Sequence, residues 1–408
     1  MKMTDFRNVK TGLISKARER MDLSRDYSDD DVKDLIDELL LQEDLMFIPP
    51  EEKRRLSKEL FDALRRLDIL QIFVDDPDIS EIMINGMDST YVEKKGKLYE
   101  LPIKFDSLER FNDVIQQIAA GCNRTVNASE PMVDARLPDG SRVNIVLPPV
   151  SLSGPVMTIR RFPKDPITAE GLVELGTITE ECRAFLEKLV KAGYNVFISG
   201  GTGSGKTTFL NALSGFIPKD ERIVTIEDDA ELKLQGLKNL IRLETRNTNT
   251  ADCKEISVRD LIKCSLRMRP DRIILGEVRG PEAIDLMQCL NTGHSGSMST
   301  GHANSAGDML YRLESMILMG MDIPLTAIRH QIASGIDIIV HLSRMRDKSR
   351  KVVEITEILG VEKGIIRLNT LFEFRERGET DGRIDGELVQ RGELFSKEKL
   401  YRSGLLQL

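Results

Sequence analysis

A glycine-rich loop that follows an apolar segment constrains the fold of this chain more than any other feature. Residues Asn195 to Ser199 have the pattern of a buried strand. The loop itself alternates glycine with small polar residues and ends in lysine and threonine: Gly200, Gly201, Thr202, Gly203, Ser204, Gly205, Lys206, Thr207 and Thr208. Apolar residues with helical spacing come next. This order predicts a strand, a phosphate-binding loop and a helix, as in an α/β domain.

The loop residues predict a site for a nucleoside triphosphate. Glycines let backbone N–H groups turn towards the β-phosphate, and the helix that begins here adds the positive end of its dipole. Lys206 can reach the β and γ oxygens, and the hydroxyl of Thr207 can ligate Mg²⁺.

Composition disfavours several other classes of function. The chain has 408 residues and a formal charge of −8, which gives no global reason to expect a nucleic-acid partner. Its five cysteines include no Cys-x-x-Cys pair, so neither a disulfide framework nor a zinc site is indicated. No stretch reaches the roughly 18 apolar residues that span a bilayer. We therefore expect a cytosolic chain whose membrane contact is through a partner protein.

Changes in composition and in predicted secondary structure divide the chain into five segments. They are a helical segment (1–72), a small α/β domain (73–162), a linker (163–178), the nucleotide-binding core (179–360) and an extension (361–408). In the core, apolar strands alternate with helices, which predicts a parallel sheet covered on both faces. Ligands of such sheets bind at the carboxyl ends of the strands.

Two predicted strands of the core end in acidic residues. Ile223 to Ile226 leads into an acidic box that contains Glu227, Asp228 and Glu231, and Arg272 to Leu275 leads into Glu277. Bound Mg²⁺ would relieve repulsion among these carboxylates, whereas the alternative is a solvated acidic turn. Two acidic strand ends beside one phosphate loop favour the magnesium-assisted site.

Histidines and arginines supply further candidates. His294 and His302 stand among small polar residues near a predicted strand end, where contact to phosphate or structural capping are both open. No third ligand stands at a zinc spacing, so zinc is disfavoured. Four arginines before the linker are candidates for stabilising charge on a transferred phosphoryl group, or are surface residues: Arg136, Arg142, Arg160 and Arg161.

The ordered motifs resemble those of type II/IV secretion ATPases, most closely the CpaF/TadA branch of Tad/Flp pilus assembly ATPases. The motifs that carry the resemblance lie between Asp75 and Leu359: Glu81 to Asn85, Asp134 to Arg142, the phosphate loop, Thr225 to Glu231, Leu275 to Arg279, and His294 to Asn304. The paired Cys-x-x-Cys insertion of many assembly ATPases is absent, in agreement with this branch. The resemblance implies a RecA-like P-loop core preceded by a smaller, PAS-like α/β domain.

The same resemblance implies roles for residues. Lys206 and Thr207 would bind phosphate and Mg²⁺, Glu277 would be the Walker B acid, and Glu231 the general base, supported by Glu227 and Asp228. His294 and His302 would contact the γ-phosphate, and one or more of the four arginines would act across a subunit boundary.

At the level of the assembly, the resemblance implies a cytoplasmic homohexamer that hydrolyses ATP and drives an inner-membrane platform protein. Extension of a pilus, its retraction and protein secretion all remain open. Two other classes also remain open, namely an ATP-gated scaffold with little turnover and a RecA-like motor that translocates DNA.

Overall fold

The computed structural model describes residues 3–21, 27–41, 48–122, 124–161, 166–246 and 254–406. The chain forms two compact units, Met1–Lys164 and Asp165–Leu408. Residues 162–165, which include the boundary between the units and the start of the predicted linker, lie outside the described residues. Further along that predicted linker, Ala169–Glu174 is helical.

The first unit begins with a helical cluster. Its helices are α1 (Met3–Arg20), α2 (Asp29–Leu40), α3 (Pro50–Arg65) and the short α4 (Gln71–Asp75). Ser28 caps α2 by accepting the N–H of Asp31, and Pro50 starts α3; both residue types are favoured at these positions. Apolar residues of α1, α2 and α3 pack together, including Ile14, Ile36 and Leu60. The helical period found in the sequence therefore marks a real buried face.

The rest of the first unit is an antiparallel sheet of six strands with the order β3-β2-β1-β6-β5-β4. The strands are β1 (Ile79–Asn85), β2 (Ser89–Lys94), β3 (Lys97–Leu101), β4 (Met132–Arg136), β5 (Arg142–Val146) and β6 (Val156–Arg160). Apolar residues of α5 (Leu108–Gly121) join one core with the inward residues of this sheet. Alternation along β4, β5 and β6 leaves polar residues on the other face.

The second unit is built on one sheet of nine strands. The strands are β7 (Val196–Gly200), β8 (Arg222–Glu227), β9 (Asn239–Glu244), β10 (Arg272–Val278), β11 (Met298–Gly301), β12 (Ile338–Arg344), β13 (Arg350–Glu362), β14 (Ile365–Thr380) and β15 (Arg383–Gln390). The helices are α6 (Ala169–Glu174), α7 (Glu180–Lys191), α8 (Lys206–Ser214), α9 (Val258–Ser265), α10 (Ala283–Leu290), α11 (Ala306–Gly320), α12 (Leu325–Gly335) and α13 (Glu398–Arg402).

The strand order of this sheet is β15-β14-β13-β12-β7-β11-β10-β8-β9. The strands from β12 to β9 run parallel, and β13, β14 and β15 continue the sheet in antiparallel pairs. The apolar strands predicted at 195–199, 223–226 and 272–275 are present as β7, β8 and β10, and β7, the strand before the glycine-rich loop, is buried along its whole length. Two apolar cores contain residues of this sheet and its helices, as expected for a buried parallel sheet.

Residues 361–408 form more structure than the sequence indicated. The predicted extension contributes β14, β15 and the end of β13 to the same sheet as the phosphate loop. Charged residues alternate with apolar ones along this hairpin, and its polar tip masks the strand signal. The edge strand β9, which is only partly buried, was also missed.

Arg272 at the start of β10 is a buried charge inside the second unit, with 2% of its surface exposed. Its guanidinium donates to both carboxylate oxygens of Glu221, with an Nη2–Oε1 distance of 2.8 Å, and its Nη1 donates to the carbonyl of Val190 at 2.7 Å. These bonds compensate for the loss of hydration.

In the part of the chain that the structure describes, no helix has the length and apolar character needed to cross a bilayer.

Glu221→Ala is expected to destabilise the nine-stranded sheet by about 3 kcal/mol, because it leaves a buried guanidinium without its counter-charge. Native-state hydrogen exchange at the amides of β10 measures this free energy. The matched control is Glu398→Ala, which removes an exposed ion pair with Arg402 and should leave the same amides unchanged. Equal protection in Glu221→Ala and wild type would contradict the assigned role of the pair.

Candidate functional site: the phosphate loop and its acidic neighbours

The phosphate loop connects the carboxyl end of β7 to the amino end of α8. Gly203 and Gly205 have φ angles of +70° and +94°, which disfavour residues with a Cβ. At Gly200 a Cβ would lie only 2.5 Å from the carbonyl oxygen of Leu342 in β12. Glycine is therefore required both for the turn of the loop and for the close approach of the neighbouring strand.

Lys206, the first residue of α8, lies over the loop. Its side chain is buried, and Nζ donates to the carbonyl oxygens of Gly200 at 3.1 Å and Gly201 at 3.0 Å. The same Nζ lies 3.4 Å from Nδ1 of His302. Phosphate oxygens that enter the loop could replace these neutral acceptors with charged ones, which form stronger hydrogen bonds.

His302 connects this lysine to the acid of β10. Its Nε2 lies 2.9 Å from Oε1 of Glu277. Burial, followed by the charge of Lys206, lowers the pKa of His302. The imidazole ring therefore lies between the ammonium of Lys206 and the carboxylate of Glu277. Lys206, His302 and Glu277 thus form one connected group.

Arg279 extends this group to the acidic box. Its Nη2 lies 2.9 Å from Oε2 of Glu277, and its Nη1 lies 3.8 Å from Oδ2 of Asp228. The carboxylates of both strand ends therefore share one guanidinium. The pKa of Asp228 is nevertheless raised, because burial outweighs the attraction of Arg279.

Glu227 fixes the backbone of the acidic box through its carboxylate. Its Oε2 accepts the backbone N–H groups of Glu231 at 2.7 Å and Leu232 at 2.8 Å, so it fixes the segment that carries Glu231. Burial raises the pKa of Glu227 to about 7, against the opposing effect of these two bonds. A Cβ at Gly276 would lie 3.0 Å from Cγ of Glu227, so a glycine lets β10 approach this side chain.

A surface cleft of about 630 Å³ opens beside the start of the loop. It is lined by Gly201 and Thr202 of the loop, by His302 to Asn304, and by Asp308, Tyr311 and Arg312. The cleft gives the connected group access to solvent on the side of β11.

The structure does not bring His294 to this cluster. His294 precedes β11, and the start of β11 pairs with the start of β7, whereas the phosphate loop follows the end of β7. Its Nδ1 lies 3.2 Å from the carbonyl oxygen of Cys289, and its own carbonyl accepts the hydroxyl of Ser297. Within one subunit, His294 therefore has the capping environment that the sequence left as its alternative role.

The four predicted arginines lie in the first unit. Arg136 is directly opposite Arg142 across the β4/β5 pair, and Arg142 is opposite Arg160 across the β5/β6 pair. Like charges directly opposite each other destabilise a sheet, so this row has a cost. Arg161 has a different environment, because its Nη1 donates to the carbonyls of Asp76 and Ile79.

Sequence reasoning missed three arginines around the site. Arg279 belongs to a quoted motif, and its position two residues after Glu277 was the available signal. Arg344 and Arg350 lie against the phosphate loop from the β12/β13 turn. No spacing rule links them to the loop, because only the sheet order places β12 beside β7.

The residues present fit a nucleoside triphosphate with Mg²⁺. The loop presents the amino end of α8, and Lys206 and Glu277 flank the place where phosphates would enter. Among the described residues, no three His, Cys, Asp or Glu side chains form a metal-binding group. Magnesium that accompanies a nucleotide commonly takes most of its ligands from phosphate and water, and the hydroxyl of Thr207 would be the loop's own contribution.

Comparison with known proteins identifies a family whose members resemble this chain. The model for the type II/IV secretion system protein family matches residues 64–381. The type IV secretion system protein PtlH of Bordetella pertussis is 34% identical over 316 residues, which are 71% of this chain and 93% of PtlH. An uncharacterized protein of Methanocaldococcus jannaschii is 41% identical over 252 residues, 60% of this chain. That match spans only 35% of the archaeal protein's length.

The fold also has a counterpart among solved structures. The ATPase DotB of Yersinia pseudotuberculosis aligns with a TM-score of 0.53 and 20% identity, over 71% of this chain and 78% of DotB. This likeness confirms the predicted α/β fold class.

The raised pKa of Glu227 predicts a pH-dependent stability. The unfolded carboxyl ionises near 4.5 and the folded one near 7, so stability is lost as pH rises through this interval. Relative to Glu227→Gln, wild type should lose about 2 to 3 kcal/mol between pH 5 and pH 8.

Hydrogen exchange at the amides of β8 at the two pH values, corrected for intrinsic exchange rates, measures this difference. The exposed Glu174→Gln is the control and should track wild type at both pH values. Parallel stabilities of wild type and Glu227→Gln would show that Glu227 does not titrate in this range.

Proposed function

We propose that this chain, which belongs to the type II/IV secretion system protein family, is an ATPase motor that hydrolyses Mg-ATP to power a secretion or pilus machine. The observation that carries the proposal is the connected group of Lys206, His302 and Glu277 beside the phosphate loop. A loop that only held nucleotide would not need an acid joined to the phosphate-binding lysine through a histidine.

The chemistry assigned to the residues is hydrolysis of the β–γ phosphoanhydride. Lys206 and the loop N–H groups hold the β and γ oxygens, and Glu231 accepts the proton of the attacking water. The bond from the γ-phosphorus to the bridging oxygen breaks as the new P–O bond forms. Bound Mg²⁺, next to Thr207 and Glu277, would neutralise charge on the phosphates.

Two features of the acidic box support Glu231 as the base. Its backbone is fixed by the carboxylate of Glu227, and its charge lies within electrostatic reach of Arg279. His302, kept neutral by burial and by Lys206, is suited to sense the γ-phosphate through its ring nitrogens.

We further propose that the active assembly is a homohexameric ring of the Tad/Flp pilus type, with an inner-membrane platform protein as its partner. In this arrangement a neighbouring copy supplies positive charge to the phosphates. The preferred source is the row of Arg136, Arg142 and Arg160. Its members are cross-strand neighbours, and a bound anion would lessen the repulsion between their charges. Arg161 stands outside this row, and its guanidinium donates to two backbone carbonyls.

The test is Mg-ATP turnover by the full chain against protein concentration, with light scattering for mass. Lys206→Ala and Glu231→Gln should each lower kcat about 100-fold or more, because each removes a group that acts on the transferred phosphoryl or on water. The matched controls Lys238→Ala and Glu174→Gln change exposed residues and should retain turnover.

Three outcomes would redirect the proposal. Full turnover in Glu231→Gln would remove that residue as the base. ATP binding without turnover in an assembled wild-type ring would favour an ATP-gated scaffold. Strong stimulation by DNA would favour a translocating motor.

A further inference from the structure

Arg350, the first residue of β13, lies against the phosphate loop. Nε of Arg350 donates to the carbonyl oxygen of Gly203 at 3.2 Å. A Cβ at Gly205 would lie 3.7 Å from Cδ of Arg350, so the stem of the arginine passes over the second left-handed glycine. One side chain thus contacts the loop at both positions where its backbone turns.

The bond to Gly203 also orients groups inside the loop. A trans peptide is planar, so holding the carbonyl of Gly203 fixes the direction of the N–H of Ser204. That N–H donates to the carbonyl oxygen of Gly201 at 3.3 Å, and the same oxygen accepts Nζ of Lys206 at 3.0 Å. A short chain of bonds therefore connects Arg350 to the phosphate-binding lysine.

The turn that precedes Arg350 is itself held in place. Arg346 pairs with Glu376 at 2.6 Å and with Glu379 at 3.0 Å, and Oδ2 of Asp347 accepts the N–H of Ile384 at 2.9 Å. These partners belong to the β14/β15 hairpin. Arg350 consequently approaches the loop from a position that the extended sheet has already fixed.

A second cation lies beside the same loop. Arg344 is directly opposite Arg350 across the β12/β13 pair, and its Nη1 would lie 3.7 Å from a Cβ at Gly203. Like charges at opposed positions destabilise a sheet, and an anion bound in the loop would lessen that repulsion.

We propose that Arg350 is a positioning residue that holds the phosphate loop in its nucleotide-binding shape before the nucleotide arrives. The proposal rests on the proposed ATPase function. Arg350 acts through the backbone of Gly203 and Ser204 and therefore contributes to nucleotide binding, whereas Glu231 contributes to the chemical step. Loss of Arg350 should therefore affect the affinity for nucleotide more than the rate of hydrolysis at saturation.

The experiment compares wild type, Arg350→Ala and Arg350→Lys in the full chain, by Mg-ATP kinetics and by calorimetric titration with Mg-ADP. In Arg350→Ala, KM for Mg-ATP and Kd for Mg-ADP should rise about tenfold with kcat within about twofold, since a charge-assisted bond that pre-orders the loop is lost. Arg350→Lys keeps a charged donor and should recover part of the affinity.

Arg367→Ala is the matched control, because it removes an exposed arginine of the same sheet that pairs with Glu362. Its KM and Kd should equal those of wild type. Unchanged KM and Kd in Arg350→Ala, or a fall in kcat with unchanged KM, would overturn the positioning role. Wild type that neither binds Mg-ADP nor hydrolyses ATP would instead refute the proposed function.

If Arg350→Ala fails to fold, Arg350→Lys and Arg350→Gln decide the matter. Both should raise KM above that of wild type, and Gln, which lacks the charge, should raise it more. Wild-type KM in both variants would overturn the proposal.

Discussion

The position of β7 between two parallel neighbours is the constraint on which the site depends. Its carboxyl end carries the phosphate loop, β11 on one side ends next to His302, and β12 on the other side leads to Arg344. Side-chain bonds keep the edge aligned: the hydroxyl of Ser199 lies 3.0 Å from Nδ1 of His341, and that of Thr300 donates to the carbonyl of Gly276. Because the strands are buried, a shift of register would move apolar side chains away from their partners.

Charge balance stabilises this edge of the sheet. The side chains that line this edge follow one another in the order lysine, histidine, glutamate, arginine and aspartate. Each charge therefore has a neighbour of opposite sign or a neutral ring beside it. In the proposed function, incoming phosphate would add negative charge next to Lys206 and would alter the partners of His302 in the same step. The arrangement would therefore couple occupancy of the loop to the environment of Glu277.

Local patterns predicted the parts of this site that a single segment creates. The glycine-rich loop, the two acidic strand ends and the apolar strands that precede them follow from spacing and periodicity, and the structure contains them. Groups assembled from distant segments could not be found in this way. Arg350 reaches the loop only because β12 is the neighbour of β7, and the separation of His294 from His302 depends on which end of β11 each residue occupies. Both facts belong to topology, which periodicity along one chain does not contain.

The strands of this sheet are synthesised in a different order from that in which they lie side by side, and this affects when the site is complete. On the ribosome β7 emerges well before β11 and β12, the strands that flank it, and Arg350 emerges later still. Domains fold as units during synthesis, and a strand without neighbours has unpaired backbone groups. A nascent chain that ends before β13 would contain the complete glycine motif but would lack the strand that brings Arg350 to the loop. Such a chain would bind nucleotide more weakly than the chain whose antiparallel strands have been translated.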